Sequence, residues 1–216
     1  MKSILSHLEG KSHIIWDWNG TLLDDVDLMV EVIGELLDEH SLPRIDRQKY
    51  CELFRFPIRN YYLDLGFDFN RVSFEQLSEK FIAGYRKGLP STKLHEGMKE
   101  LIHVLNQSSI SQSVLSAAEE GYLAEQLQYF GIRHYFENVY GLTDYHAAGK
   151  LVRGFQLMRD AKIPAESTVL IGDTDHDLEV GKALGIEVLL LADGHQSFDR
   201  LKSKHSRVVL NRYDAR

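Results

Sequence analysis

The stretch His13-Ile14-Ile15-Trp16-Asp17-Trp18-Asn19-Gly20-Thr21-Leu22 decides the fold. A short apolar run passes directly into a polar turn at Asn19-Gly20, which reads as a buried strand stopped by a turn. The predicted strand is His13–Asp17. An aspartate at the end of such a strand either caps the turn or serves a site. The rest of the chain decides between the two.

From Asp27 to about Glu39 the apolar period turns helical, with Leu28, Val32, Leu36 and Leu37 on one face and Pro43 closing the segment. Further helical segments fill the chain to Gly88, where Phe74, Leu77, Phe81 and Tyr85 recur at helix spacing and no convincing strand is seen. After Pro90, helix and strand alternate. Met98, Leu101, Ile102 and Leu105 predict a helix, Ser111–Ser116 a strand, and Leu123, Leu127 and Phe130 another helix. Asn138–Tyr140 is a short strand, and Leu151, Phe155 and Met158 mark a helix that Gly154 weakens. Thr168–Ile171, Glu187–Leu191 and Arg207–Leu210 are further strands, with a helix from about Asp175 to Leu184 between the first two. Alternation of this kind implies crossover units and a parallel sheet. The expected class is α/β: a Rossmann-like parallel sheet core with an inserted all-helical cap domain. The core takes residues 1–23 and 91–216, and the cap residues 24–90.

Composition bounds the function. At 216 residues, 44% hydrophobic and 26% charged, the chain is long and apolar enough to fold around a core without disulfide staples. Its one cysteine, Cys51, cannot form an internal disulfide, so a reducing, cytoplasmic setting is expected. A net charge of -7 without a basic run argues against a nucleic-acid partner. The densest apolar run, Val188 to Ala192, falls far short of the roughly 20 residues that span a bilayer, and the first ten residues lack a signal-like apolar stretch. A monomer or homodimer off the membrane is expected.

Ligands of open parallel sheets bind beyond the carboxyl ends of the strands. Three of those ends carry reactive groups: Asp17-Trp18-Asn19-Gly20-Thr21, then Ser116-Ala117, then Gly172-Asp173-Thr174-Asp175-His176-Asp177. Lys150, opening a helix, is the fourth element. Together they suit phosphoryl transfer. A carboxylate at 17 can attack phosphorus and hold an acyl-phosphate. Lys150 supplies a fixed positive charge, and Ser116 with the backbone N–H groups after it can hold phosphate oxygens. Asp173 beside Asp17 would crowd two negative charges, which a hard cation such as Mg²⁺ relieves.

These residues resemble the haloacid dehalogenase-like hydrolases, in the branch typified by phosphoglycolate phosphatase with a helical cap. Asp17-x-Asn19-Gly20-Thr21-Leu22 resembles the family's first motif, Asp-x-Asp-Gly-Thr-Leu. Ser116 after an apolar strand resembles the second, Lys150 the third, and Ile171-Gly172-Asp173 with Asp177 the fourth, in the family's order from about Ile14 to Leu191. The resemblance implies Mg²⁺-dependent hydrolysis of a small phosphorylated metabolite. It makes Asp17 the nucleophile and a metal ligand, and Asn19 a ligand through its backbone carbonyl. Asp173 becomes a ligand and Asp177 a ligand or water-mediated partner. Thr21, Ser116, Ala117 and Lys150 become phosphate binders.

One departure stands out. Where the family carries an aspartate that protonates the leaving group, this chain has Asn19, which cannot exchange a proton in that way. Such help is typically worth ~10²–10⁴ in rate. A slow phosphatase, an enzyme for leaving groups that need no proton, and a catalytically impaired phosphate-ligand-binding or regulatory member all remain open. If the missing proton donor limits turnover, Asn19→Asp should speed alkyl esters only. A mutase of the same fold is disfavoured by Asn19, and dehalogenation leaves Asp173 without a purpose. Arg55, Arg59 and Lys87 in the cap are candidates for a substrate carboxylate or second phosphate. Asp24 and Asp25 read as charges favouring a helix N-terminus, Trp18 as packing between the loop and the cap, and His176 as a surface residue.

Overall fold

The computed structural model describes residues 2–108, 110–143 and 149–210. In chain order the helices are α1 (Lys2–Leu5), α2 (Val26–Glu39), α3 (Arg47–Leu53), α4 (Ile58–Asp64), α5 (Phe74–Gly88), α6 (Met98–Asn106), α7 (Glu120–Tyr129), α8 (Gly149–Asp160), α9 (Asp175–Leu184) and α10 (Phe198–Lys204). The strands are β1 (His13–Trp16), β2 (Leu23–Asp24), β3 (Lys93–Leu94), β4 (Ser111–Glu119), β5 (Asn138–Leu142), β6 (Thr168–Gly172), β7 (Glu187–Leu191) and β8 (Val208–Val209).

Six strands form one parallel sheet in the order β5-β4-β1-β6-β7-β8. β1 lies between β4 and β6, so the carboxyl ends of these three strands sit side by side. Successive residues of a strand face opposite sides of the sheet, and the core divides accordingly. Ile14, Trp16, Val114, Val169 and Ile171 pack on one side, against α6 and α7. Ile15, Leu115, Leu170, Leu178 and Leu184 pack on the other. Gly154, expected to weaken α8, has a packing reason. A Cβ there would lie 2.9 Å from Leu184 and 3.2 Å from Leu115, so the bare backbone lets α8 close onto the sheet.

Between β2 and β3, which pair antiparallel, the described chain is helical. α2 to α5 bury a cluster of their own, built from Ile33, Leu36, Leu37, Tyr50, Phe54, Tyr61 and Leu77. α5 begins with a capping box in which Ser73 and Gln76 satisfy each other's backbone N–H groups. Among the described residues, no helix is long and apolar enough to cross a membrane.

Candidate active site

Asp17 follows β1, its backbone N–H donating to the Ile171 carbonyl of β6 across 2.9 Å. The same arrangement puts Asp173, just past β6, alongside it. Asp17, Asp173 and Asp177 are buried, each with a carboxylate oxygen within 4.8 Å of the others'. The Lys150 ammonium, 3% exposed, donates to Asp17 Oδ1 and to Asp177 Oδ1, each at 2.5 Å. Sequence reasoning named all four, and the fold brings them together.

Each carboxylate is held differently. Asp173 accepts from Thr21 Oγ1 at 2.9 Å and from the His195 backbone N–H at 2.6 Å. Its neighbours leave it no spare space. A Cβ on Gly20 would lie 2.3 Å from Asp173 Oδ2, and one on Gly194 would lie 2.2 Å from the same oxygen. Gly20 also has φ +68°, the left-handed region that only glycine enters freely. Asp177 Oδ2 accepts from the Thr174 hydroxyl at 2.7 Å and from the Thr174 and Asp173 backbone N–H groups at 3.0 and 3.3 Å. With Lys150 on its other oxygen, Asp177 holds the lysine and the loop, which fits an indirect partner of a cation better than a direct ligand.

The electrostatics favour a bound cation. Burial pushes the Asp17 carboxyl up, and the Asp177 and Asp173 charges add to that against the opposing pull of Lys150. Burial likewise raises Asp173. Burial alone would lower the Lys150 ammonium, but Asp17 and Asp177 outweigh it and keep the lysine charged. Three carboxylates around one ammonium leave negative charge for a hard, oxygen-seeking cation to neutralise, so the donor set fits Mg²⁺.

Ser116 is buried near the end of β4, one strand from Asp17, and Ala117 follows it. Ser116 does not cap the helix that follows. Its Oγ accepts from the Ala118 N–H at 3.1 Å, while Glu119 caps α7. That bond leaves the hydroxyl proton to donate to a ligand. Thr21, expected on phosphate, instead donates its hydroxyl to Asp173.

Arg55 and Arg59 are also corrections. Arg55 pairs with Asp64 at 2.7 Å, and the Arg59 guanidinium lies 4.2 Å over the Phe69 ring. Among the described residues no hydrogen bond or ion pair links either to the cluster, because the helical block supplies its own partners for them. Trp18 packs on Phe130 and donates to Gln126 of α7, within a cluster that also takes in Tyr85 of α5. The His176 side chain is 23% exposed and lies 4.6 Å from the Phe56 ring, so it is not a simple surface residue.

Sequence reasoning missed a second buried group beside the cluster. Asp25, 1% exposed, makes no side-chain cap to α2. It accepts from Asn19 Nδ2 at 2.7 Å, Tyr85 Oη at 2.7 Å and the Gly20 N–H at 2.8 Å. His195 Nε2 lies 3.4 Å from Asp25 Oδ1, an ion pair without hydrogen-bond alignment, and Tyr50 Oη is 3.0 Å from His195 Nδ1. Burial would lower His195, but the Asp25 charge outweighs it and, with Asp173 and Asp17, pushes it up to about 9. Burial would raise Asp25, but the close His195 charge, with the bonds from Tyr85 and Asn19, holds it below its usual range. His195 follows β7, a further strand end, and that position was the available signal.

A family model described as haloacid dehalogenase-like hydrolase matches residues 14–191. The chain belongs to the haloacid dehalogenase-like hydrolases. It is 24% identical over 208 residues to the tyrosine-protein kinase PtkA of Mycobacterium tuberculosis, covering 93% of this chain and 69% of that protein. It is 21% identical over 207 residues to a phosphoglycolate phosphatase of Pseudomonas savastanoi pv. phaseolicola, covering 92% and 75%. A haloacid dehalogenase-like hydrolase structure from Streptococcus pneumoniae superposes with TM-score 0.72 at 19% identity, covering 94% of this chain and 95% of the other, which shows the shared fold. The expected hydrolase family and the Rossmann-like parallel core are therefore both borne out.

A second polar cluster ties this hydrolase core to its helical block. Asp175 accepts from Gln196 Nε2 at 2.8 Å, from Arg200 at 3.0 Å and from Lys204. Gln196 and Arg200 also donate to the Phe54 carbonyl, at 3.1 and 2.7 Å. Burial would raise Asp175, but the bonds from Lys204, Gln196 and Arg200 outweigh it and hold the carboxyl down to about 2. A depressed carboxyl contributes stability above its unfolded value near 3.8, and that contribution disappears as pH falls towards 2. Asp175→Asn should therefore cost roughly 1–2 kcal/mol at pH 7, allowing for solvent screening of a partly wetted group. Urea denaturation at pH 7 and near pH 2 checks this: the gap between parent and variant should close in acid.

Proposed function

We propose that this protein hydrolyses a small phosphomonoester with Mg²⁺, through an aspartyl-phosphate on Asp17. The observation that carries the reading is the buried cluster in which Asp17 and Asp173, past the ends of adjacent strands, meet Lys150 from the first turn of α8. The phosphoglycolate phosphatase relative supports the substrate class.

Asp17 attacks phosphorus, a new P–O bond forms, and the bond from phosphorus to the leaving oxygen breaks. Lys150 and the Ser116 hydroxyl with the N–H groups after it hold phosphate oxygens, stabilising charge as it builds. Asp17, Asp173 and the Asn19 backbone carbonyl would hold the Mg²⁺, which supplies neutralisation of the carboxylate–phosphate repulsion. Water then attacks the aspartyl-phosphate and returns the carboxylate, with Asn19 orienting that water. The leaving group takes its proton from solvent, so good leaving groups are favoured. The helical block acts as a lid. It meets the nucleophile loop through Tyr85 on Asn19 and Asp25, and the segment after β7 through Tyr50 on His195, so entry of substrate requires the lid to move.

Asn19 favours a second reading, phosphate-ligand binding without turnover. A panel of alkyl phosphates, aryl phosphates and acyl-phosphates, assayed with Mg²⁺ and with chelator, separates the two. The phosphatase reading expects Mg²⁺-dependent phosphate release, fastest for acyl and aryl substrates. Calorimetric binding of a phosphate analogue with Mg²⁺, paired with no phosphate release over hours, would establish the second reading instead.

A further inference from the structure

Asn19 Nδ2 donates to two acceptors, Asp25 Oδ2 at 2.7 Å and Tyr85 Oη at 2.8 Å. Neither contact tolerates the amide turned over. An ionised Asp25 only accepts, and the Tyr85 hydroxyl already directs its proton to Asp25 Oδ2 at 2.7 Å, leaving a lone pair towards Asn19. Both amide hydrogens are engaged, so the side-chain carbonyl must face away from Asp25 and Tyr85. Among the described residues, no donor bonds to that carbonyl oxygen. The Gly20 N–H at 2.8 Å and the His195 ring at 3.4 Å fix Asp25 itself. A capping role for Asp25 is excluded, since it makes no side-chain bond to the start of α2.

We propose that Asp25 is a positioning residue that locks the Asn19 carboxamide with its carbonyl oxygen turned to the reacting side, and that the carboxylate at 25 makes an amide the fitting group at 19. The catalytic consequence rests on the phosphatase reading. Residues 19 and 25 form one unit in which an amide donates and a carboxylate accepts. An acid introduced at 19 alone would put one carboxylate oxygen at hydrogen-bond distance from another, with the single Tyr85 proton between them. The earlier expectation for Asn19→Asp therefore changes: the substitution does not restore the missing acid.

The test exchanges the pair. Asn19→Asp alone should lower Tm by roughly 5–10 °C and raise alkyl-phosphate hydrolysis by less than about threefold. Asn19→Asp with Asp25→Asn restores a donor facing an acceptor. It should recover Tm to within roughly 3 °C of the parent and hydrolyse alkyl phosphates at least ~10-fold faster than the single variant. Asn19→Asp with Asp25→Ser is the second version, should the amide at 25 fold poorly. Rescue by a second substitution is a readout that mere structural damage at either position does not give. If Asn19→Asp alone matches the parent in Tm and equals the double variants in rate, the inference is wrong. The Tm coupling is read without substrate, so it stands or falls apart from turnover. Coupling with no hydrolysis by any variant supports the pairing and removes the phosphatase reading. Hydrolysis without coupling does the reverse.

Discussion

Asp17→Asn should lower the Mg²⁺-dependent turnover by a factor on the order of 10⁴ or more, because an amide cannot form the acyl-phosphate that divides the reaction into two steps. The same substitution should leave the fold intact. Asp17 sits where burial and two neighbouring carboxylates oppose its ionisation. Removing that charge relieves repulsion, and Lys150 keeps Asp177 as a partner at 2.5 Å. Thermal unfolding in chelator should therefore show a Tm equal to the parent's or higher, while the rise in Tm on adding Mg²⁺ shrinks. A residual rate within tenfold of the parent would mean that another group attacks phosphorus.

Lys150→Met acts in the opposite sense on stability. The ammonium is buried between two carboxylates, and its loss leaves Asp17, Asp173 and Asp177 together without it. Breaking a buried ion pair from one side typically costs about 3–5 kcal/mol. For a chain of this length that is a fall of roughly 6–20 °C in Tm. Added Mg²⁺ should recover part of it, since the cation then carries more of the neutralisation. Activity should fall by ~10³ or more, because the charge proposed to meet the phosphate oxygens goes with the side chain. Lys150→Arg should rescue poorly. A planar, forked guanidinium does not replace a point charge in a space closed to 3% exposure. Differential scanning measurements with and without Mg²⁺, alongside turnover, check both parts. An unchanged Tm in chelator would show that Lys150 is not what holds the carboxylates together.

The parts of the site that were legible in the sequence share a cause. Asp17 and Asp173 directly follow apolar strands and Ser116 closes the apolar stretch of β4, and a parallel sheet gathers the ends of neighbouring strands, so order along the chain was enough to bring them together. Lys150 and Asp177 followed from their place in helices next to those strands. Asp25 was not legible, because an acidic residue before a helix is ordinarily a solvated charge. Its burial comes from Tyr85, sixty positions later, and from His195 at the far end of the chain, contacts that local patterning does not encode. Arg55 and Arg59 misled for the converse reason. Cations in a helical block suggest a substrate anion until their own partners are seen, here Asp64 and the Phe69 ring. Boundaries moved where local rules were weakest. β4 runs on to Glu119 past the predicted Ser116, and the short pair β2–β3 at the base of the helical block has too few residues to show a period.

The decisive experiment is acid quench of the protein during turnover of an acyl- or aryl-phosphate with Mg²⁺, followed by borohydride reduction and peptide mass analysis. Hydride converts an aspartyl-phosphate to homoserine and leaves a free carboxylate untouched. Reduction confined to position 17, present only with Mg²⁺ and absent in Asp17→Asn, is the predicted result. Steady phosphate release with residue 17 unmodified at every quench time would contradict it.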